Sequence, residues 1–135
     1  MAGHIITGER ISAFIDSLDR GNTEFLNEIE AECRRTNVPV IRPQMQSLLK
    51  LLLAMNRPKS ILEVGTATGF SALLMNEYGP EGCKITTIEK YEKRIPLARE
   101  NFRRAGKENA ITLLEGDAAE ILKELQETYD FIFMD

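Results

Sequence analysis

Short apolar segments alternate with helical segments from Lys59 onward, and this alternation is the strongest constraint on the fold. The strand-like segments are 61–64, 85–88, 111–114 and 131–134, and the helical segments between them are 70–78, 92–105 and 118–125. The strands are short and mainly apolar, which is typical of a parallel sheet buried on both faces. Right-handed crossovers between parallel strands predict the strand order 3-2-1-4. The sequence therefore predicts an α/β fold.

Residues 1–57 have the periodicity of helices, and we expect them to form a helical cover beside an α/β unit at residues 58–135. Thr23 is a candidate N-cap for the second helix of this cover. The apolar run 48–55 is too short to cross a bilayer and predicts a largely buried third helix. One face of the first helix carries Ile11, Phe14, Ile15 and Leu18.

The first strand runs into a glycine-containing turn that opens a helix near Phe70. Gly65 and Gly69 allow a tight turn, and the first N–H groups of the helix point at whatever lies above the loop. This arrangement predicts a cradle for a nucleotide cofactor. A dinucleotide-binding loop would have glycine where this chain has Ala67, and it would lack the acid Glu63.

Three acids stand near the ends of three consecutive strands. Glu89 is placed to accept hydrogen bonds from a ribose diol. Asp117, after Gly116, could accept from an adenine amine or could be the N-cap of the next helix. Glu63, surrounded by amides, could orient the loop or hold an ammonium group through water. Together the three acids describe S-adenosylmethionine.

Two hydroxyl residues flank these acids, and their role is open. Thr66 and Ser71 could cap the helix, bond within the loop or contact the cofactor.

Composition restricts the class of protein further. The chain has 135 residues, 43% of them hydrophobic, and a formal net charge of −4, which predicts one soluble globular domain. The two cysteines lack metal-ligand spacing and no secretory segment is evident, so we expect a cytoplasmic protein without membrane contact. Overall acidity argues against nucleic-acid binding by bulk charge. The eight basic residues between Lys84 and Lys107 are interpreted as a solvated helix face, although a local patch stays open.

Four segments together resemble one known family. They are Ile61 to Ser71, Thr87 to Lys90, Gly116 to Ala118, and Tyr129 to Asp135. They resemble the Rossmann-like class I methyltransferases, specifically the caffeoyl-CoA and catechol type of O-methyltransferase. The resemblance extends to Val38–Ile41, and it is greatest to the bacterial branch that includes tRNA 5-hydroxyuridine methyltransferase.

The resemblance implies a role for each matching residue. It implies that Glu63, Gly65, Ala67 and Ser71 surround the methionine part of S-adenosylmethionine and that Ile41 packs near the methionine end. Thr66 and Gly69 of the same turn are further candidate cofactor-binding residues. Glu89 would hold the ribose, whereas Gly116, Asp117 and Ala118 would border the adenine. Asp135 would lie beside the methyl group and be the first ligand of a divalent cation, magnesium or calcium. The implied reaction transfers the methyl group to a hydroxyl of tRNA or of a small molecule.

The sequence stops at Asp135, after four of the seven strands that the family implies. We therefore expect a truncated domain, inactive alone, with a fourth strand that further chain or a partner covers. The remaining metal ligands and an expected lysine after Asp135 are missing from these residues. A homodimer is also expected. The alternatives are a methyltransferase acting on a catechol-like molecule, a non-catalytic cofactor-binding or dimerising fragment, and a nicotinamide-dependent oxidoreductase.

Overall fold

The computed structural model of the chain describes residues 8–135, so residues 1–7 of the predicted cover lie outside the described residues. The cover contains α1 (Glu9–Ser17), α2 (Glu24–Arg35) and α3 (Pro43–Asn56). The α/β unit follows as β1 (Ser60–Val64), α4 (Phe70–Tyr78), β2 (Lys84–Glu89), α5 (Ile95–Arg104), β3 (Ile111–Glu115), α6 (Ala118–Glu124) and β4 (Phe131–Met134).

The four strands form one parallel sheet in the order β3-β2-β1-β4, which confirms the predicted fold and topology. In the register of the sheet, Val64 lies between Ile88 and Met134. Glu89 lies opposite Glu115 on the outer pair of strands. Because the strands are parallel, their carboxyl ends meet at one edge, where the glycine turn also lies.

One hydrophobic core joins the helical cover to the sheet. Leu26 and Ile29 of α2 and Leu49 and Leu53 of α3 are buried together with residues of β1, α4 and β2. The predicted cap of α2 is present, since the Thr23 hydroxyl accepts the Leu26 N–H at 3.3 Å. The cover is therefore packed firmly against the unit that carries the predicted site.

The prediction that α3 is largely buried was wrong. Its apolar residues surround the helix, but only the side toward α4 and α1 is covered. Buried positions are restricted to Gln46, Leu49 and Leu53. The exposed apolar residues are Met45, Leu48, Leu51 and Met55.

The apolar residues predicted for one face of α1 are also exposed. Helix α1 packs against α3, yet none of its residues is buried. Phe14 is 64% exposed and Leu18 is 66% exposed. Both α1 and α3 therefore present several large apolar side chains to solvent.

Helix α5 begins later than its sequence pattern predicted. Pro96 stands in the first turn, where its missing N–H leaves no bond broken, so the helix starts at Ile95 and not near Glu92. Tyr91 lies before the helix and is exposed. Within residues 8–135, no helix is both long and apolar enough to cross a membrane.

Candidate functional site

A cleft of about 250 Å³ opens at the carboxyl edge of the sheet. Its lining residues come from the ends of β1, β2 and β3 and from the start of α6. They are Val64, Gly65, Ile88, Glu89, Lys90, Gly116, Asp117 and Ala118. The structure thus brings the predicted ribose and adenine residues together beside Gly65 of the glycine turn.

Two positions of the turn require glycine. Gly65 and Gly69 have φ angles of 99° and 94°, in the left-handed region that side chains disfavour. A Cβ atom on Gly65 would lie 2.9 Å from the carbonyl oxygen of Asp135, and one on Gly69 would lie 2.6 Å from Cε1 of Phe102. The turn therefore approaches both the end of β4 and the inner face of α5 too closely for a side chain.

Ala67 keeps the backbone conformation that glycine would give at this position. Its φ angle is 49°, and its N–H donates to Oε2 of Glu89 at 2.8 Å. A left-handed conformation is unfavourable for alanine by roughly 1 kcal/mol, and a charge-assisted hydrogen bond of this kind offsets it. The acid at the end of β2 therefore also holds the shape of the turn.

Glu89 is 8% exposed and accepts three backbone hydrogen bonds. Besides Ala67, the N–H groups of Lys90 and Tyr91 donate to its Oε1 at 3.0 and 2.9 Å. A carboxylate offers about four acceptor positions, so one is left for a ligand in the cleft. A ribose diol that needs two hydrogen bonds would have to share or replace the bond from Ala67.

Glu63 is fully buried, and hydroxyl groups surround its carboxylate. Thr87 donates to its Oε1 at 2.6 Å and Ser71 donates to its Oε2. The prediction of surrounding amides was therefore wrong. Burial raises the pKa of Glu63 from 4.5 to about 7, with smaller contributions from the charges of Asp135 and Glu89, and the two hydroxyl groups oppose this rise. In this structure Glu63 supports the turn from below and has no exposed surface for a ligand.

Thr66 and Ser71 belong to the same buried network, so the bonding within the loop that the sequence left open is present. The hydroxyl oxygens of Thr66 and Thr87 are 2.6 Å apart. Thr87 was missed by the sequence reasoning, although it lies directly opposite Glu63 in the register of β1 and β2. No signal in the sequence alone identifies this role, because the pairing depends on the register of the two strands.

Asp117 caps α6, as one of the two sequence interpretations proposed. Its Oδ1 accepts the Ala119 N–H at 2.9 Å, and its Oδ2 lies 3.7 Å from Nζ of Lys90. Asp117 also lines the cleft beside Gly116, whose N–H donates to the Glu89 carbonyl at 2.9 Å. Capping the helix leaves part of the carboxylate facing the place predicted for the adenine.

A second, wider hollow of about 670 Å³ lies on the other side of the Gly65–Asp135 contact. It is formed by α1, the extended segment before α3, the start of α3 and the end of β4. Its lining residues are Ser12, Pro39, Val40, Ile41, Arg42, Gln44, Met45 and Asp135. Ile41 and Asp135, predicted to lie near the methyl group, therefore share one hollow that adjoins the cleft.

The described residues do not form a metal centre by themselves. Within residues 8–135, no three histidine, cysteine, aspartate or glutamate side chains cluster closely enough to hold an ion. Hard divalent cations take several oxygen ligands, and Asp135 alone does not fit that requirement.

The fold and the cleft define a Rossmann-like class of protein that binds a nucleoside-containing cofactor. The defining features are the strand order, the glycine turn after β1 and the acid at the end of β2. The sequence model of the O-methyltransferase family matches residues 16–135, and the chain belongs to this family. Family membership favours the methyltransferase interpretation over the nicotinamide alternative.

Individual relatives agree with this assignment. The chain is 32% identical over 99 residues to a catechol O-methyltransferase of Niastella koreensis, covering 70% of this chain and 45% of that protein. It is 30% identical over 129 residues to a catechol O-methyltransferase of Mycobacterium tuberculosis, covering 93% of this chain and 58% of that protein. The chain thus spans about half the length of these curated relatives.

Similar solved structures include the SAH-bound methyltransferase of Podospora anserina. It superimposes with a TM-score of 0.85 at 32% identity, covering 96% of this chain and 57% of that chain.

Proposed function

We propose that this chain binds S-adenosylmethionine in the cleft and that the protein transfers the methyl group to a hydroxyl oxygen. One observation carries the proposal: the glycine turn, Glu89 and Asp117 converge on a single cleft beside Asp135. The SAH-bound Podospora anserina relative supports the choice of cofactor. The hydrogen-bond acceptors of the cleft also fit, because its carboxylates can accept from a ribose diol and from an adenine amine.

The chain's own residues bind and orient the reactants. Glu89 accepts from the ribose, and Asp117 with Gly116 and Ala118 borders the adenine. The methionine part follows the turn from Gly65 toward Ile41. When bound, S-adenosylmethionine supplies a methyl group on a positively charged sulfur.

Alignment of donor and acceptor is the chain's main contribution to the reaction. The main-chain carbonyl of Asp135 lies beside Gly65, and Asp135 lines the hollow, where we propose that its carboxylate orients the acceptor hydroxyl. As the oxygen–carbon bond forms, the sulfur–carbon bond breaks and the hydroxyl proton passes to a base. Holding both reactants in line can lower the activation free energy by about 7 kcal/mol or more.

Calorimetry with S-adenosylhomocysteine tests the proposed cofactor. We expect the chain to bind it and not NADH, and we expect Glu89→Ala to weaken binding about tenfold or more. The matched control is Glu115→Ala, since Glu115 is the exposed acid directly opposite Glu89 in the sheet. Binding of NADH without binding of S-adenosylhomocysteine would contradict the proposal.

The proposed acceptor is the hydroxyl of 5-hydroxyuridine at the wobble position of tRNA. The resemblance to the bacterial tRNA branch and the basic run after Lys84 support it. A strain that lacks the gene should lose methoxyuridine at the anticodon wobble position. Unchanged wobble modification would favour a catechol-like acceptor, as in the names of the curated relatives.

Cation dependence remains a prediction, because the described residues supply only Asp135 as a ligand. Removal of divalent ions with EDTA should abolish methyl transfer, and added magnesium or calcium should restore it. Transfer that is unaffected by EDTA would show that Asp135 acts without a cation.

We also propose a cytoplasmic homodimer. The two free cysteines, Cys33 and Cys83, are buried and unpaired, which suits a reducing compartment. The exposed apolar side chains of α1 and α3 supply an area for pairing with a second copy. A non-catalytic role for this chain is the alternative, and a methyl-transfer assay on the full chain distinguishes the two.

A further inference from the structure

The hollow beside Asp135 contains a positively charged residue that the proposed reaction does not use. Two of its lining residues carry a formal charge: Asp135 at the end of β4 and Arg42 at the start of α3. Proline, valine, isoleucine and methionine side chains form most of the remaining wall. The hollow therefore combines one anionic and one cationic residue, which do not pair with each other, with a mostly apolar wall.

Arg42 has no acidic partner in the described chain. No carboxylate of residues 8–135 lies within 4.0 Å of its guanidinium, including that of Asp135, whereas Arg99 and Arg103 are paired with Glu115 and Glu100 at 2.8 and 2.6 Å. Residues 1–7 contain no aspartate or glutamate that could pair with it. The Arg42 side chain makes no capping bond with α3 either.

The backbone that presents Arg42 is anchored from inside the protein. Gln46 is 4% exposed, and its Nε2 donates to the Ile41 carbonyl at 2.9 Å and to Oε2 of Glu30 at 3.1 Å. Asn22 donates to the Gln46 Oε1 at 2.8 Å, so the amide group is fully used. Pro43 fixes the backbone immediately after Arg42. The backbone position of Arg42 at the hollow is therefore held before any ligand arrives.

We propose that the hollow takes an acceptor that carries an oxyanion, a carboxylate or a phosphate, and that Arg42 binds this group. The inference rests on the proposed function, because the hollow is assigned to the acceptor by its contact with the cofactor cleft. The Asp135 carboxylate repels the oxyanion and attracts the hydroxyl, so the charges of Asp135 and Arg42 together fix the orientation of the acceptor. A planar ring between the two groups suits the apolar wall.

The chemistry of arginine favours this class of ligand. A guanidinium offers a planar fork of N–H donors that matches the two oxygens of a carboxylate or phosphate. An unpaired guanidinium beside an apolar surface gains from a bound anion more than one already paired with a carboxylate. A neutral catechol has no anionic group, so it forms no ion pair with Arg42.

Calorimetry on the full chain saturated with S-adenosylhomocysteine tests the proposal with two matched ligand pairs. One pair is 3,4-dihydroxybenzoate and catechol, and the other is 5-hydroxyuridine 5′-monophosphate and 5-hydroxyuridine. We expect the anionic member of at least one pair to bind about tenfold more tightly than its neutral counterpart. Preference in the first pair indicates a small carboxylate acceptor, and preference in the second indicates a nucleotide.

Arg42→Gln should abolish the preference for the anionic ligand and leave binding of the neutral ligand within about twofold. The matched control is Arg57→Gln, because Arg57 is an exposed arginine at the opposite end of α3 and outside the hollow. Equal affinity within both pairs, no binding of any of the four ligands, or a preference that survives Arg42→Gln overturns the inference. Absence of S-adenosylhomocysteine binding overturns the proposed function itself, which the first step of the titration shows separately.

Discussion

Glu63 places a carboxyl group in the interior of the protein with only hydroxyl groups as direct partners. No cationic side chain of the described residues forms an ion pair with it, and its side chain is 0% exposed. Burial disfavours the charged form, so the folded protein holds the proton at pH values where the unfolded chain releases it. The stability of the fold is therefore linked to pH through this residue.

We predict that stability falls as the pH rises from about 4.5 to about 7 because of Glu63. In this window the folded state binds more protons than the unfolded state, so the free energy of unfolding decreases with pH. The contribution is on the order of 3 kcal/mol over the whole window. Urea unfolding at pH 5 and pH 8 should show a smaller difference for Glu63→Gln than for the natural chain. The same difference in both proteins would contradict the assigned pKa.

Gly69→Ala should destabilise the protein by about 2 to 4 kcal/mol, from left-handed strain plus overpacking. The overpacking comes from Phe102, whose ring carbon would be 2.6 Å from the new Cβ atom. Gly82→Ala is the matched control, because Gly82 has a φ of 81° and nothing within 4 Å of its Cβ position. Thermal unfolding should show a loss of only about 1 kcal/mol for the control. Equal losses would show that Phe102 moves aside.

Among individual residues, the sequence predicted those that line the cleft better than the buried hydroxyl groups beneath the turn. Gly65, Glu89 and Asp117 were predicted because each follows a recognisable strand. Thr87 was not, because nothing in a single sequence shows that two strands 24 residues apart bring its hydroxyl to the Glu63 carboxylate. The direction of the Glu63 side chain, toward hydroxyl groups and away from amides, likewise depends on strand register.

Asp117 at the start of α6 has two proposed roles, capping the helix and accepting from the adenine amine, and substitutions can separate them. Asp117→Asn keeps an oxygen that can cap the helix but replaces the second oxygen by an N–H donor. We predict that it leaves stability unchanged within about 0.5 kcal/mol. It should nevertheless weaken binding of S-adenosylhomocysteine about threefold or more, because the adenine amine loses an acceptor.

Asp117→Ala is the comparison, and it should lose both binding and about 1 kcal/mol of stability through the lost cap. Calorimetry and urea unfolding on the same two variants measure the effects independently. If Asp117→Asn binds the ligand as tightly as the natural chain, Asp117 is a helix cap alone.

The elements of the α/β unit were predicted closely, and those of the cover less well. Strand positions follow from continuous apolar runs, whereas burial of a helix depends on which neighbours cover it. The run around Leu48 and Leu51 predicted a buried α3, but the packing partners α1 and α4 reach only part of its circumference. The apolar periodicity predicted that α5 starts at residue 92, but the helix starts at Ile95, with Pro96 in its first turn.

For the whole molecule, the exposed apolar surface of α1 and α3 predicts self-association. Phe14→Glu should convert a dimer to a monomer, since a charge in an apolar interface loses its hydration without gaining a partner. Leu122→Glu is the control, because Leu122 is an exposed apolar residue on α6. Sedimentation of the two variants measures the difference. A natural chain that is monomeric at micromolar concentration would contradict the prediction.

The charge of the whole molecule is more evenly paired than its sequence indicated. In the basic run after Lys84, Arg99 pairs with Glu115, Arg103 pairs with Glu100, and Arg104 lies near Glu28. The Arg103 pair lies within α5, but the Arg99 and Arg104 pairs cross from one element to another and could not be identified from the local sequence. Much of the positive charge in this run is thereby matched by carboxylates at the surface.

The central place of β1 in the sheet has a consequence for how the chain is made. Ser60 at the start of β1 bonds with Asp130, 70 residues later, just before β4. At a ribosomal rate of roughly 5 to 20 residues per second, that edge of β1 stays open for roughly 4 to 14 seconds. The Gly65 turn meets Asp135 only after β4 has been synthesised. During synthesis, the boundary between cleft and hollow is therefore among the last parts of the described chain to be completed.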